Sequence, residues 1–149
     1  EVITTLTVTL ESGSDTVVMQ FQDLDGDGPD AATVTVSGPL SANTSYDGSI
    51  VLLNETEDPA ENITEEVEEE DLDHQFFYTV GSGLNVTTDY ADADSMGNPL
   101  GLSFILTTSE ASSGALTFTL RHEPNKPNDG LETAGGETDI DVTFDVIVE

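Results

Sequence analysis

"LTFTLRH", residues 116–122, sets Leu116, Phe118 and Leu120 at alternate positions with Thr117, Thr119 and Arg121 between them. A period of two is the mark of a β-strand with one face in a core and the other in water. His122 has the parity of the apolar residues, so the same pattern turns an imidazole inward. "HQFFYTV", residues 74–80, repeats the arrangement from its other end, with His74 in the parity of Phe76, Tyr78 and Val80. One histidine opens its strand and the other closes its own. If the two strands are antiparallel neighbours, both rings lie at the same end of the molecule.

The same alternation recurs along the chain. Val2, Leu6, Val8 and Leu10 share one face of a first run, and Val17, Met19 and Phe21 one face of a second. Further strands are predicted over 32–37, 45–53, 84–90, 102–107 and 140–148, which makes about nine with the two histidine strands. Gly26-Asp27-Gly28, Gly81-Ser82-Gly83 and Gly135-Gly136 supply turns between them. Many short strands at near-regular spacing predict an all-β fold, an antiparallel β-sandwich of immunoglobulin-like type. The 149 residues make one domain, 1–149, large enough to bury a core without disulfides, and cysteine is absent. One stretch breaks the pattern: "NETEDPAENITEEVEEEDLDH", residues 54–74. It reads either as a solvated acidic loop or as a short helix within 55–73. In the second reading Asn62 caps the helix, Glu65 takes the capping-box position, and Ile63 and Val67 touch the sandwich.

Charge narrows the function classes. With 31 acidic residues against two basic ones, the formal net charge is -29. Neutralising a phosphate backbone takes Lys and Arg, so nucleic acid is excluded as a partner. Self-repulsion on this scale favours a saline or extracellular setting or bound cations. No G-x-S-x-G elbow, phosphate loop or H-E-x-x-H occurs, and the expectation is a protein that is not an enzyme. The basic residues that exist sit together: Arg121, His122 and Lys126 fall within six positions. Arg121 is expected to pair with carboxylates on the outer face, so that the trio anchors the Glu-rich segment over the histidine end.

Two metal readings follow from residue types and spacing. His74 and His122, with Asp71, Asp73 and Glu123 beside them in sequence, offer two nitrogens and several carboxylate oxygens to a divalent ion. That donor set suits zinc first, then copper, nickel or iron. The alternative is that each histidine simply caps a strand end by hydrogen bonding. "DLDGDG", residues 23–28, places Asp23, Asp25 and Asp27 at the spacing of the first half of a calcium loop. Its second half fails, because Val34 stands where a bidentate Glu is required, so the stretch is either a weak calcium site or a hairpin turn. "DADSMG", residues 92–97, has Met96 in place of a third acid and reads as a turn.

Several longer phrases carry a family likeness: "EVITTLTVTL", "FQDLDGDGP", "LSANTSYDGSIVLLNE", "HQFFY", "GNPLGLSFILTT", "LTFTLRHEPNKP" and "AGGETDIDVTFDV". Over nearly its whole length the chain resembles small surface or periplasmic lipoproteins of Bacteroidota, above all marine flavobacteria, often labelled type 1 periplasmic binding fold proteins. That label names a two-lobed α/β structure, for which this chain is too short and too strand-rich. The resemblance implies a lipid anchor, signal peptide and linker upstream of Glu1, and a place at the outer membrane or cell surface of a Gram-negative bacterium. It further implies an accessory role beside a TonB-dependent outer-membrane receptor, capturing a scarce nutrient such as a metal. The family's "HQ" and "HEPNK" phrases fall on His74, His122 and Glu123. The leading expectation is therefore a metal-binding surface module. The alternative is an acidic surface-layer, adhesin or filament module, stabilised by calcium and capable of self-association through its edge strands.

Overall fold

Alternating Thr and Val resolve into two facing antiparallel sheets in the computed structural model, which describes residues 2–25 and 28–149. The larger sheet contains β1 (Thr5–Ser12), β2 (Asp15–Gln22), β3 (Thr33–Val36), β4 (Ser45–Asn54), β5 (Glu61–Asn62), β7 (Val86–Tyr90) and β8 (Ser103–Thr108). Its order is β3-β2-β1-β4-β8-β7, with β5 added onto β4. The smaller sheet is formed by β6 (His74–Val80), β9 (Ser112–His122) and β10 (Glu137–Val148) in the order β10-β9-β6. Seven strands facing three make the all-β antiparallel sandwich that the alternation predicts. Ten strands occur among the described residues. The one beyond the expected nine is β5, whose two residues are too few to leave a periodic signal.

Apolar parity is what joins the layers. Leu6, Val8, Leu10, Met19, Ile50, Leu52 and Leu106 from the larger sheet close on Phe76, Leu116, Phe118, Leu120 and Phe144 from the smaller one, all at most 2% exposed. Val2, expected on the same face as Leu6, instead precedes β1 and is exposed. A chain of rings crosses between the sheets: Tyr78 to Phe104 at 4.7 Å, Phe104 to Phe118 at 5.8 Å, and Phe118 to Phe144 at 5.9 Å between centroids. Tilted and edge-on pairs at these distances are the favoured aromatic geometry. Gly48 makes room for it, because a Cβ on β4 at that point would meet the Phe104 ring.

The acidic stretch folds rather than floats. Helix α1 (Ile63–Glu69) begins at Asn62, whose side chain accepts the Thr64 amide at 3.1 Å. Ile63 and Val67 are fully buried against the sandwich, and Thr64 Oγ1 accepts the Leu52 amide of β4 at 2.8 Å. Burial of two aliphatic side chains, roughly 1.5–3 kcal/mol each, outweighs the repulsion among the outward glutamates. A single turn of tighter helix, Asp71–Asp73, then leads into β6, and a one-turn helix α2 (Leu131–Ala134) lies in the loop between β9 and β10. Among the described residues no helix is long and apolar enough to cross a membrane.

Replacing Gly48 by Val should lower stability by about 1–3 kcal/mol through overpacking against Phe104. Urea unfolding followed by tyrosine fluorescence measures this, and an unchanged midpoint would show that the ring is free to move aside.

Candidate metal centre

Register brings the two histidines face to face. β6 and β9 pair antiparallel with His74 directly opposite His122. The Asp73 carbonyl accepts the Glu123 amide, and the Phe76 amide turns away from β9 to the Leu100 carbonyl at 2.8 Å. Even-numbered residues of β6 therefore occupy the positions without ladder hydrogen bonds, where opposing side chains come closest. The rings meet edge to face with centroids 4.9 Å apart, and His74 Nε2 lies 3.1 Å from His122 Nδ1.

β10 adds a carboxylate by breaking its own ladder. It pairs Glu137 with His122, Thr138 with Arg121 and Ile140 with Leu120, so that Asp139 is a surplus residue, a bulge. Bulges re-aim side chains. This one points Asp139 Oδ2 at the histidines, 3.5 Å from His74 Nε2 and 3.8 Å from His122 Nδ1. That oxygen is buried and has no hydrogen-bond partner. The three donor atoms thus form a triangle with sides of 3.1, 3.5 and 3.8 Å. A point equidistant from atoms so placed lies about 2.0 Å from each, the length of a zinc–imidazole bond.

Neighbouring groups flank the outer nitrogen of each ring. The Glu70 carbonyl lies 3.0 Å from His74 Nδ1, so that nitrogen must donate, and the Nε2 lone pair faces the cluster. Glu123 Oε1 lies 3.4 Å from His122 Nε2, on the outer side of that ring, while Nδ1 faces the cluster. Imidazoles that hold a metal characteristically give their outer N–H to a carbonyl or carboxylate in this way.

The expected ligands divide accordingly. His74 and His122 come together, and Asp139 joins them. Glu123 lies on the outer side of the His122 ring, so it belongs to the support of the cluster rather than to the donor set. Asp73 and Asp71 do not reach it. The Asp73 side chain is exposed, and the Asp71 carboxylate accepts the Ser95 amide at 2.8 Å. Both sit in the tight turn before β6, which directs them away from His74. Asp139 was not legible as a ligand, since nothing in the chain's lettering separates it from Glu137, Asp141 or Asp145, which face solvent.

The first acidic triplet reads as a turn where it can be described. Asp25 Oδ2 accepts the Asp30 amide at 2.9 Å, and the Asp25 carbonyl accepts the Gly28 amide at 3.0 Å. Asp27 lies outside the described residues, and Asp23 precedes the turn at the end of β2. In residues 92–97 the carboxylates are taken up by backbone. Asp92 accepts the Gly101, Leu102 and Ser103 amides, and Asp94 Oδ1 accepts the Met96 and Asn98 amides.

The basic residues anchor the rim differently from expectation. Arg121 donates to the Gly135 carbonyl at 3.1 Å, not to a carboxylate, because the loop after β9 folds back over the outer face of the sheet. Lys126 makes the anchor alone. Its ammonium, with the side chain only 7% exposed, donates to Asp94 Oδ2 at 2.9 Å, to the Asp71 carbonyl at 2.9 Å and to the Pro99 carbonyl at 3.3 Å. Burial acts to raise the Asp94 carboxyl, but the Lys126 ammonium and the Asn98 and Met96 amides outweigh it and hold the group below its ordinary value. The turn carrying Asp71 follows directly on Glu70, whose carbonyl orients His74, so the one lysine steadies the histidine cluster from behind.

Two outcomes follow. Lys126→Met strands a buried carboxylate and should cost about 3–5 kcal/mol in chemical denaturation, with part regained when Asp94→Asn is added. A depressed carboxyl stabilises the fold above its unfolded pKa and loses that contribution as pH falls through the folded value. The stability difference between the native chain and Asp94→Asn should therefore shrink from about pH 5 down to pH 2, while relief of general repulsion affects both proteins alike. A constant difference across that window would contradict the assignment.

Set against known proteins, the chain matches no family model, no curated protein and no solved structure.

Proposed function

We propose that this domain is a non-enzymatic binding module for a divalent metal, zinc in the first place, held by His74, His122 and Asp139. One observation carries the reading: a buried Asp139 oxygen without a hydrogen-bond partner sits beside two imidazole nitrogens, at separations that fit one small ion. Beyond the hydrogen bond between the two rings, nothing among the described residues donates to that oxygen, and a cation would satisfy it together with the two nitrogens. The outer N–H groups, directed at the Glu70 carbonyl and toward Glu123, are the second support.

Charge and place complete the proposal. A formal charge of -29 raises the local concentration of cations around the whole surface, and the two nitrogens favour a transition metal over calcium or magnesium. In the setting that the sequence resemblance implies, the domain is a lipid-anchored protein of the outer membrane or cell surface. There it captures the metal and passes it to a TonB-dependent receptor by ligand exchange. Acid releases the ion, because protons compete for the same imidazole lone pairs.

Calorimetric titration of the metal-freed protein with zinc should show one site per chain. His74→Ala with His122→Ala should abolish it, and Asp139→Ala should weaken it by on the order of tenfold to a hundredfold while leaving the metal-free fold no less stable. Equal, weak binding in all three proteins would assign the zinc to general surface charge and end the proposal.

A further inference from the structure

The cluster has three protein donors, one short of the four that close a structural zinc site. Zinc sites that hold exchangeable ligands keep such an open position. Its surroundings are graded. The His74 side chain is 0% exposed, Asp139 21% and His122 35%, so the buried imidazole forms the floor and solvent reaches the ion over His122. Glu123 does not close that side. Its carboxylate, 72% exposed, lies against His122 Nε2, across the ring from the Nδ1 that faces the cluster. Asp71 and Asp73 are directed elsewhere, as described above. No side chain in these contacts supplies a fourth donor, and the His122 edge is the side of the cluster nearest solvent.

What fills it is selected by charge. The exposed Glu123 carboxylate beside His122, together with a net charge of -29, repels anions approaching the rim. One carboxylate and two neutral imidazoles leave a divalent ion one positive charge, and a neutral nitrogen donor reaches it without meeting the repulsion of the anionic surface.

Resting on the metal reading above, we propose that the fourth position is built to accept an imidazole from outside. In the function that follows, that imidazole is a histidine side chain of the protein receiving the metal. Exchange is then associative. The incoming nitrogen completes four-coordination first, and His122, at the exposed edge, is the ligand that lets go. The M–N bond to the newcomer forms before the M–Nδ1 bond breaks, and no oxidation or net proton transfer is required. His74, fully buried and tied to the Glu70 carbonyl, stays behind.

Cobalt(II) reports this directly, since its visible d–d bands follow coordination number and ligand type. The full chain is loaded with one equivalent of cobalt and titrated separately with imidazole and with sodium azide; retained cobalt is measured after gel filtration in the same buffer. Imidazole should shift the bands while cobalt remains with the protein, at half-saturating concentrations on the order of tenfold below those of azide. Bands that form, depend on His74 and His122, and ignore imidazole would overturn the open position and leave the metal site standing. So would bands that respond only in Glu123→Ala, which would make Glu123 the fourth ligand. Azide binding as tightly as imidazole would overturn the selection by charge, and cobalt stripped without any band shift would overturn associative exchange. A chain giving no cobalt bands at all would remove the metal reading itself, and the inference with it.

Discussion

One buried ion pair holds the working end of the molecule together. Lys126 is the only lysine in the chain, and its ammonium ties three separate segments: its own loop after β9, the turn at Asp94 and Pro99, and the turn at Asp71 that delivers His74. Withdrawing a carboxylate and an ammonium from water costs several kcal/mol per ion before their attraction is counted. Here the geometry meets that cost. Asp94 uses both oxygens, the Lys126 ammonium donates three hydrogen bonds, and neither charge is left without partners. In a protein so rich in acid, one fully enclosed cation has more structural leverage than any surface pair, because exposed pairs are screened and contribute little.

The architecture was legible because it rests on period-two burial. Leu116, Phe118 and Leu120 announced the central strand of the small sheet, and the run from Ser45 to Leu53 matched β4 to within one residue. The helix at 63–69 was visible only as an option, since its one apolar face consists of Ile63 and Val67 amid glutamates that speak equally for a solvated loop. Tertiary burial of those two residues decides the matter, and a local reading cannot weigh it. The site divided along the same line. Parity placed His74 and His122 on one face, yet their closeness depends on register and on a position free of ladder bonds, which strand lettering does not encode. Asp139 depends on a bulge, where parity fails by construction. Arg121 was given to carboxylates on the grounds of charge alone, whereas the backbone carbonyl of Gly135 is nearer to hand.

Charge and chemistry act here on different length scales. The overall negative field is diffuse, screened within about 10 Å at 0.1 M salt, and indifferent to which cation it draws. The triangle of His74, His122 and Asp139 spans less than 4 Å, the scale on which ligand softness and bond length would tell one ion from another. A marine or extracellular medium, with its abundance of sodium and magnesium, would saturate the first without touching the second. That separation lets one small domain stay strongly anionic and still present a site with a preference of its own.

The bulge on β10 reaches beyond local geometry. Because Asp139 is surplus to the ladder, the sandwich owes it nothing: strands β9 and β10 would register cleanly were the residue excised, and the aromatic stack between the sheets would be undisturbed. The third member of the proposed ion-holding triangle is thus an inserted character on an otherwise complete frame, gained or lost by a single codon without renegotiating the core. Descendants of one such scaffold can diverge into holders and non-holders of metal while remaining indistinguishable in silhouette.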